Sequence, residues 1–560
     1  MPKIWKLIEP SVELKNVLAD ELKTSSLFAQ LLLNRGVCDA VSAKDFLVKN
    51  LDSQLDPLLM EGMERAVERL RIAITKKERV FIATDFDVDG VTSCAILESY
   101  LKTFGLDIEH YVPHRVRDGY GLNANAVGAA ERFGAKIFIA LDCGITAVEE
   151  AAALKKLNID CIIIDHHEPP SGQLPDAFAI LDPKKKTCPY PFKELASVGL
   201  VFKLVAALAD NPVNEYLDLV ALGTVADVAP LTGENRIFVE HGLKVLNQTR
   251  RPGLRSLINA AGIKKTLSTR SIGFMLAPRL NASGRIDSAQ MSLDLLLAQE
   301  PKEADVLART LNEQNRERQK IEEGVFNQAL DQIDKKINFK EDFVIILAGD
   351  DWHVGVLGIV AAKISDRFCR PTIILSFAEG VARGSARSVE NFHIYEALVE
   401  CSEFLKEYGG HKYAAGLSLE RQYLKSFKRR MNEIARANFE NNPFASVIHV
   451  DAQIPFGLIN EALLDSIDRL NPFGEGNPRP VFVSRGLTVK SKPCIVGRNS
   501  LKFWVSDGEL IFEAIGFGMG DYFSLVNDVD FIDLAYCLSW NDWGPQNTIQ
   551  IEIKDIKVSV

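Results

Sequence analysis

The sequence lacks the marks of several specialised protein classes. It has no apolar run of about 18 residues that would cross a membrane, and its first residues lack the charged, apolar and small-residue regions of a signal peptide. Its nine cysteines form no C-x-x-C pair, which argues against a zinc ribbon or a disulfide framework and favours a reducing cytosol. It also lacks a Walker A sequence, which argues against an ATP-driven enzyme.

The composition is that of an ordinary globular protein, with 47% hydrophobic and 25% charged residues. A chain of 560 residues is too long for one hydrophobic core and therefore predicts several folded units. The net charge of −10 does not itself favour nucleic acid as a partner. Binding depends on local basic patches, however, so the total does not exclude it.

Changes of pattern divide the chain into five predicted segments. Residues 1–75 have the pattern of short helices, and residues 76–300 alternate short apolar, β-branched runs with helical stretches, as in a doubly wound α/β domain with a parallel sheet. Residues 301–338 predict a long helix that joins this domain to a second α/β domain over 339–440, although an ordinary surface helix of the first domain is the alternative. Residues 445–560 alternate strand-like segments with turns, which predicts a small β-barrel.

Acidic residues and histidines follow three of the predicted strands. They are Asp85, Asp87 and Asp89 after VFIAT, Asp142 after KIFIAL, and Asp165, His166 and His167 after CIII. In an open parallel sheet, ligands bind at the carboxyl ends of the strands. Carboxylates that meet there would repel one another unless divalent cations neutralised them, and carboxylate with imidazole suits Mn²⁺, and less strictly Mg²⁺ or Zn²⁺. Asp227, in the apolar ALGTVADVAPL, is a further acid that would not stay unpaired. The set predicts two-metal hydrolysis.

Parts of this set have other interpretations. Asp89 followed by Gly90 favours, by itself, an ordinary turn or helix cap. The stretch from Asp85 to Gly90 imitates the start of an EF-hand loop, but Ile96 stands where that loop needs Glu. The residues from Asp87 onward also resemble the nucleophile loop of haloacid-dehalogenase phosphatases, whose chemistry would explain neither Asp142 nor the histidine pair.

Motifs in a fixed order carry a resemblance to a known family. DFDVDG (85–90), LDCGI (141–145), DHH (165–167) and ALGTVADVAPL (221–231) resemble the DHH phosphoesterase superfamily. RLNASGRIDSA (279–289), WHVGVLGIVAAKISDRF (352–368), GSARS (384–388) and GGHKYAAG (409–416) narrow the resemblance to its DHH–DHHA1 branch. Together with PHRVRDGYGL (113–122) and a C-terminal barrel, they resemble the bacterial exonucleases of that branch.

The resemblance implies a centre that binds two Mn²⁺ or Mg²⁺ ions. Asp87, Asp142, His166 and Asp227 would hold one ion, and Asp142 would bridge to a second ion that Asp85 also holds. Asp89, Asp165 and His167 would orient these ligands or contact phosphate. The implied catalytic residues are Asp87, Asp142, His166, His167 and His411. Ala83 stands where some relatives have a histidine, and Asp182, where relatives commonly have Asn, is interpreted as a turn residue.

The resemblance also implies contacts to phosphate. Arg279, Asn281 and Arg285 would bind phosphates, and Gly409 and Gly410 would let His411 approach the scissile phosphate because glycine permits close backbone approach. Arg115, Ser385 and Arg387 would form a pocket for a terminal 5′-phosphate. For any single arginine, a solvated surface charge is the alternative. His353 is either a core residue or a phosphate contact.

A basic stretch lies in the predicted barrel. Five basic residues and no acid occur between Arg485 and Lys502, and Phe503 and Trp504 follow at once. Cations beside aromatic rings are what single-strand-binding OB-folds use, whereas a barrel edge protected by lysines is the alternative. The candidate DNA contacts are Lys490, Lys492, Arg498, Lys502 and Trp504.

The function implied by the resemblance is a 5′→3′ exonuclease of single-stranded DNA in the bacterial cytoplasm. It would release mononucleotides in DNA repair and recombination, act as a monomer, and have a single-strand-binding protein and a helicase as candidate partners. One rival is a DHH hydrolase of short oligonucleotides or small phosphoesters, but those relatives usually lack the N-terminal segment and the barrel. The other rival is a non-catalytic replication scaffold, against which the intact acids speak.

Overall fold

Four β-sheets organise the part of the chain that the structure describes. The structure is a computed structural model that describes residues 3–115, 117–119, 121–209, 211–286, 288–439, 446–541 and 548–559. These residues form two units: residues 55–229 with 241–444, and residues 1–54 with 230–240 and 445–560. Helices and strands are numbered below in chain order.

The N-terminal segment contains a strand as well as helices. Strand β1 (Ile4–Leu7) precedes α1 (Val12–Leu22), α2 (Ser26–Leu33) and α3 (Ala40–Val48). The sequence predicts only helices here, and β1 corrects that prediction. Its partner is a parallel strand at Val447–Val450, more than 400 residues away, so no local pattern reveals the pairing.

The first large sheet is parallel and has the order β3-β2-β4-β5-β6. Its strands are β2 (Val80–Thr84), β3 (Ile108–Tyr111), β4 (Ile137–Leu141), β5 (Asp160–Ile164) and β6 (Ala179–Leu181). All residues of β2 and β4 are buried, which explains why these strands are apolar throughout rather than alternating. The predicted parallel-sheet domain is confirmed.

Helices connect and cover these strands. They are α4 (Met63–Lys76), α5 (Val88–Lys102), α6 (Ala124–Phe133), α7 (Val148–Lys156), α8 (Ser197–Leu208) and α9 (Leu217–Ala226). One face of the sheet packs its apolar side chains against α6 and α7. Helices α5, α8 and α9 pack against one another, and their ends carry residues of the site described below.

A run of helices leads to the second sheet. These are α10 (Gly233–Asn247), α11 (Pro252–Ala260), α12 (Thr269–Ser271), α13 (Ala277–Ile286), α14 (Gln290–Leu297) and α15 (Pro301–Lys336). Helix α15 is a single helix of 36 residues where a long helix is predicted. Pro301 fits at its first turn, because proline there removes no intrahelical hydrogen bond.

The second sheet has the order β10-β11-β9-β8-β7. Its strands are β7 (Ile345–Asp350), β8 (Thr372–Ala378), β9 (Val381–Arg387), β10 (Glu407–Gly410) and β11 (Ala414–Glu420). Only β7 and β8 run parallel; the other neighbours are antiparallel. Helices α16 (Val354–Phe368), α17 (Ile394–Val399) and α18 (Leu424–Phe439) accompany this sheet.

The C-terminal strands form a barrel-like sheet in the order β13-β14-β18-β19-β17-β16-β15, in which β14 also pairs with β16. Strand β12 (Val447–Val450) pairs with β1. The strands of the barrel-like sheet are β13 (Ala452–Gln453), β14 (Phe482–Val489), β15 (Cys494–Val496), β16 (Ser500–Ser506), β17 (Ile511–Gly516), β18 (Phe531–Asn541) and β19 (Thr548–Val558). The helices of this region are α19 (Glu461–Asp468) and α20 (Phe523–Asn527).

The barrel shares one apolar core with the N-terminal helices. Phe28, Leu31 and Leu32 of α2 lie in the same buried cluster as Phe482 and Ile551 of the barrel. The predicted boundary between the second α/β domain and the barrel, at 440–445, lies outside the described residues. Among the described residues, no helix combines the length and the apolar character needed to cross a membrane.

Candidate active site

Neighbouring parallel strands bring three acids to one edge of the first sheet. Thr84, Leu141 and Ile164 lie side by side in the sheet, so the residues that follow them, Asp85, Asp142 and Asp165, meet at the carboxyl edge. Asp142 has a φ of 59°, a left-handed conformation that is uncommon for residues other than glycine. Such backbone strain concentrates at functional sites, and this outlier lies at the centre of the acidic set.

His166 lies among three carboxylates. Its Nε2 is 3.3 Å from Asp142 Oδ1, 3.8 Å from Asp89 Oδ2 and 3.9 Å from Asp227 Oδ2. Asp227 reaches this point from the end of α9. A second group consists of Asp85, Asp87 and Asp142, whose ligand atoms all lie within 4.8 Å of one another. Asp142 belongs to both groups, as a bridging ligand must.

Three acids of this cluster, Asp85, Asp142 and Asp227, have raised pKa values. Burial, followed by the charges of the neighbouring carboxylates, raises the pKa of Asp85 and of Asp142 well above the usual range. The same two causes raise the pKa of Asp227 to about 9. Burial and the charge of His167 lower the pKa of His166 to about 3, which leaves a neutral imidazole whose lone pair can bind a metal.

These residues fit a divalent cation. Asp85 Oδ1 is buried and has no hydrogen-bond partner among the described residues, although such an atom is costly to leave unsatisfied. Cations at the cluster would satisfy this atom and remove the mutual repulsion. Because the donors are carboxylates and imidazole, the set fits Mn²⁺ or Mg²⁺.

Asp165 supports the histidines rather than the metal cluster. It accepts hydrogen bonds from the backbone N–H groups of Ile145, His166 and His167 and bonds to His167 Nδ1 at 2.6 Å. Burial opposes charge on both partners, but their hydrogen bond lowers the pKa of Asp165 and raises the pKa of His167 to about 9. The His167 ring stacks on His411, with 6.2 Å between centroids and 16° between planes. The two histidines predicted to act at the phosphate are therefore neighbours.

The carboxylate of Asp89 is hydrogen-bonded to the backbone of α8. Its two carboxylate oxygens accept the N–H groups of Ser197 and Val198, each at 2.8 Å. The Ser197 hydroxyl lies 2.9 Å from Asp142 Oδ1. Ser197 is absent from the predicted site because a serine before an apolar helix gives no signal beyond that of a helix start.

Three arginines form a second cluster, beside the acids. Burial, followed by the charge of Arg115, lowers the pKa of Arg387, and burial with the charges of Arg115, Arg318 and Arg387 lowers the pKa of Arg285 to about 9. Burial also lowers the pKa of Arg115, and the negative charges of Asp85 and Asp87 offset part of that lowering. None of Arg115, Arg285 and Arg387 has a carboxylate partner within salt-bridge distance among the described residues. A cluster of guanidinium groups that form no close ion pair can bind an anion.

Local contacts hold these arginines. Arg115 lies over the Phe86 ring at 4.2 Å, and Arg285 donates to the Gly355 carbonyl at 3.2 Å. Arg387 donates to Ser385 Oγ at 3.0 Å, so the predicted pair is adjacent. Gly358 makes room for both, because a Cβ there would lie 3.0 Å from Arg387 Nη2 and from Ser385 Oγ.

The other residues predicted to contact phosphate differ in their hydrogen bonding within the protein, their burial and the space around them. Arg279 donates to Asn312 Oδ1 and to the Met275 carbonyl, which uses part of its guanidinium within the protein. Asn281 is half-buried on α13. Gly410 has a φ of 143°, and a Cβ there would lie 2.4 Å from the Ala414 carbonyl, so this position requires glycine; Gly409 is open.

Three further residues make structural contacts. His353 accepts the Gly355 N–H at 3.1 Å and so caps helix α16. Asp182 is buried and accepts the Lys184 N–H, as a turn residue does. Ala83 packs in the apolar core of the first sheet.

The basic stretch of the barrel is partly neutralised. Lys502 pairs with Glu513 at 2.8 Å, and Arg485 lies 3.6 Å from Asp533. Lys490, Lys492 and Arg498 are exposed, with no carboxylate partner among the described residues. Trp504 is 44% exposed and adjoins this stretch, because its backbone bonds to Lys490 and to the Ser491 hydroxyl. The sequence did not predict these two ion pairs, because both acids come from later strands and not from the basic stretch itself.

Comparisons with known proteins match three parts of the chain to known domains. Residues 79–224 match the DHH family N-terminal domain, residues 341–437 match the DHHA1 domain, and residues 450–555 match the RecJ OB domain. The chain is 36% identical to the single-stranded-DNA-specific exonuclease RecJ of Bacillus subtilis over 99% of this chain and 71% of that protein. It is 32% identical to the Escherichia coli protein of the same name, over 95% of each. The crystal structure of Thermus thermophilus RecJ in complex with Mn²⁺ matches with a TM-score of 0.85 and 28% identity, covering 99% of this chain and 79% of that one.

Proposed function

The chain belongs to the RecJ family of single-stranded-DNA-specific exonucleases, and from that membership we propose that it is a metal-dependent exonuclease that degrades single-stranded DNA from the 5′ end and releases mononucleotides. The 5′ direction is proposed from the family membership, and one observation supports action at an end of the strand. The arginine cluster of Arg115, Arg285 and Arg387 adjoins the carboxylate cluster, since the charges of Asp85 and Asp87 act on Arg115. A pocket for an end of the strand thus lies beside the place where a bond is cut.

The metal ligands proposed are those that the sequence predicted. Asp87, Asp142, His166 and Asp227 would hold one ion, and Asp85 with Asp142 would hold the other. When bound, the ions lower the pKa of a water molecule and stabilise charge on the phosphoryl and leaving oxygens. The close approach of His166 to Asp142 and Asp227 supports the first set, and the unsatisfied Asp85 Oδ1 supports the second.

The chain's own residues hold the ligands and the phosphate in place. Asp165 fixes the loop that carries both histidines by accepting three backbone N–H groups, and it holds His167 in its charged form at neutral pH. A charged His167 presents positive charge toward the cluster, where it would bind a non-bridging phosphate oxygen. His411 belongs to the second α/β domain, where Gly410 permits the backbone turn. It stacks on His167 and would contact the same phosphate.

The arginine cluster would set the register of cleavage. A terminal phosphomonoester carries up to two charges, and an internal phosphodiester carries one, so three guanidiniums that form no close ion pair would favour the terminal group. With the 5′-phosphate on Arg115, Ser385 and Arg387, the first phosphodiester lies over the metal ligands. Each cut then releases one nucleotide and leaves a new 5′-phosphate for the same pocket.

The barrel would bind the strand by a different chemistry. Exposed Lys490, Lys492 and Arg498 beside Trp504 combine backbone neutralisation with base stacking, which tolerates any sequence. An enzyme of this kind needs exposed single strands, which a helicase produces and a single-strand-binding protein covers. Both are therefore proposed partners of a monomeric enzyme. The nine cysteines are all unpaired, which supports an action in the reducing bacterial cytoplasm.

The proposal is tested with single strands labelled at the 5′ or the 3′ end, incubated with Mn²⁺ or with EDTA. Mononucleotide from a 5′ label should appear in the first turnovers, whereas a 3′ label should stay on progressively shorter strands until late. EDTA should abolish both reactions. Early release of the 3′ label would reverse the polarity, and cleavage confined to short oligonucleotides would favour the rival hydrolase.

Two matched substitutions test the metal centre within the same assay. Asp142→Asn should lower kcat by more than tenfold, a loss above about 1.4 kcal/mol, because it removes the shared ligand. Asp182→Asn changes another buried acid at the same edge of the sheet and should leave kcat nearly unchanged. An Asp142→Asn variant with more than a tenth of the wild-type kcat would show that Asp142 does not bridge the ions.

A further inference from the structure

The first turn of helix α8 lies against the acidic cluster without a cap of its own. Ala196, at the N-cap position, offers no side-chain acceptor, so the first N–H groups of the helix need partners from elsewhere. Asp89 supplies them: its two oxygens accept the N–H groups of Ser197 and Val198. Asp89 lies in the first turn of α5, and its carboxylate thereby fixes the position of the first residue of α8.

Ser197 uses this fixed position to reach Asp142. Its Oγ lies 2.9 Å from Asp142 Oδ1, and both residues are buried, Ser197 completely and Asp142 to 98%. An ionised carboxylate only accepts hydrogen bonds, so the hydroxyl is the donor whenever Asp142 carries its charge. Asp142 also holds a left-handed backbone conformation, and the hydroxyl fixes the side chain that this backbone presents.

The bond has a specific consequence for a bridging ligand. Oδ1 of Asp142, which accepts the Ser197 hydroxyl, also lies 3.3 Å from His166 Nε2, and the same carboxylate belongs to the group with Asp85 and Asp87. The hydrogen bond therefore restricts how the carboxylate can rotate between the two groups. A hydrogen bond from a neutral hydroxyl orients the carboxylate without adding charge, so it does not compete with a cation as an arginine or lysine would.

We propose that Ser197 is the positioning residue for Asp142, and that its hydroxyl sets the affinity of the site for divalent cations. The inference rests on the proposed function, since it takes Asp142 to be a metal ligand. It extends that function by a chain of contacts in which Asp89 holds the start of α8, and Ser197, at that start, holds Asp142.

A buried serine can also have a purely structural role, and the chain contains a matched control for that case. Ser93 lies on α5, is fully buried like Ser197, and has no hydrogen-bond partner for its Oγ among the described residues. Ser93→Ala removes a buried hydroxyl of the same size from the same group of helices. A general effect on packing should therefore appear in both variants, and an effect on the ligand only in Ser197→Ala.

The experiment measures Mn²⁺ binding directly, by calorimetry on the full-length protein without DNA, for the wild type, Ser197→Ala and Ser93→Ala. Loss of a residue that orients a ligand typically weakens metal affinity about 10- to 100-fold. We expect the dissociation constant of Mn²⁺ to rise by at least about tenfold in Ser197→Ala and to stay within about twofold in Ser93→Ala. The Mn²⁺ concentration for half-maximal cleavage should shift in the same ratio, with KM for DNA unchanged.

Ser197→Cys, which keeps a side-chain atom at this position but is slightly larger and donates poorly, is the second variant and should behave like Ser197→Ala. Unchanged Mn²⁺ affinity in either folded Ser197 variant overturns the inference, and so does an equal loss in Ser93→Ala. Failure of both Ser197 variants to fold would also overturn it, because the residue would then be structural. If the wild type itself bound no Mn²⁺, the metal centre of the proposed function would fall first.

Discussion

Arg387 offers the sharpest test of the proposed pocket for the end of a strand. Its guanidinium donates to Ser385 Oγ and to the Ala386 carbonyl, at 3.0 and 2.8 Å, and has no carboxylate partner among the described residues. Burial and the charge of Arg115 lower its pKa. The folded protein thus keeps an unneutralised cation in a confined place, which is unfavourable until an anion arrives. The perturbation is Arg387→Ala.

The magnitude follows from the bonds that the pocket can make. A hydrogen bond between charged groups contributes about 1.5–3 kcal/mol, which corresponds to a factor between about ten and more than a hundred. Removal of Arg387 also relieves its repulsion with Arg115, which offsets part of the loss. The ratio of kcat/KM for 5′-phosphorylated over 5′-hydroxyl strands should therefore be at least about tenfold in the wild type and should nearly vanish in the variant.

The assay compares kcat/KM on both substrates for the wild type, Arg387→Ala and Arg383→Ala. Arg383 is the other arginine of strand β9 and is exposed, so its removal should preserve the preference. Equal rates on the two ends in the wild type would refute a pocket that senses the terminus. A preference that survives Arg387→Ala would assign the pocket to other residues, and loss in both variants would indicate a general effect of charge.

Three further outcomes are expected. In EDTA, the free energy of unfolding should fall as pH rises from about 7 to about 9. Folded Asp227, with its pKa raised to about 9, keeps a proton over this range that an unfolded carboxyl has already released. Mn²⁺ should flatten this dependence, and a free energy of unfolding that rises with pH would contradict the prediction. Gly223→Ala should cost more than about 1 kcal/mol in urea unfolding, because its Cβ would lie 2.4 Å from Thr92 Oγ1; an unchanged midpoint would show that the helices can separate. Lys490→Ala should reduce the slope of log K against log salt by about 0.7, and the paired Lys502 should matter less; equal effects would mean that its ion pair does not persist.

The sequence predicted the catalytic domain well because the information is local there. Each buried strand is a short apolar run, and the acid that follows it stands next to it in the chain. Parallel pairing then brings Asp85, Asp142 and Asp165 together without further information, because the carboxyl ends of parallel strands share one edge. Both the fold class and the acidic centre follow from periodicity and order alone.

What the sequence did not predict depends on contacts between distant residues. Ser197 reaches Asp142 across 55 positions, and only the packing of α8 against α5 sets that distance. Lys502 and Glu513 pair because their strands β16 and β17 are adjacent, and register is not visible in charge counts. The parallel partner of β1 lies in the last quarter of the chain, so a division into consecutive segments cannot show it.

The shared core of the N-terminal helices and the barrel has a consequence for biosynthesis. Helix α2 leaves the ribosome early with its apolar residues Phe28, Leu31 and Leu32. The barrel residues that bury them, such as Phe482 and Ile551, are made roughly 450–520 residues later. At ordinary elongation rates this delay is roughly 25–100 s. During that interval the N-terminal helices expose an apolar face while the residues between them and the barrel can already fold. We therefore expect nascent chains stalled before residue 445 to recruit chaperones through α2, and Trp5, which bonds to Asp555, to reach its native environment only after the full chain is released.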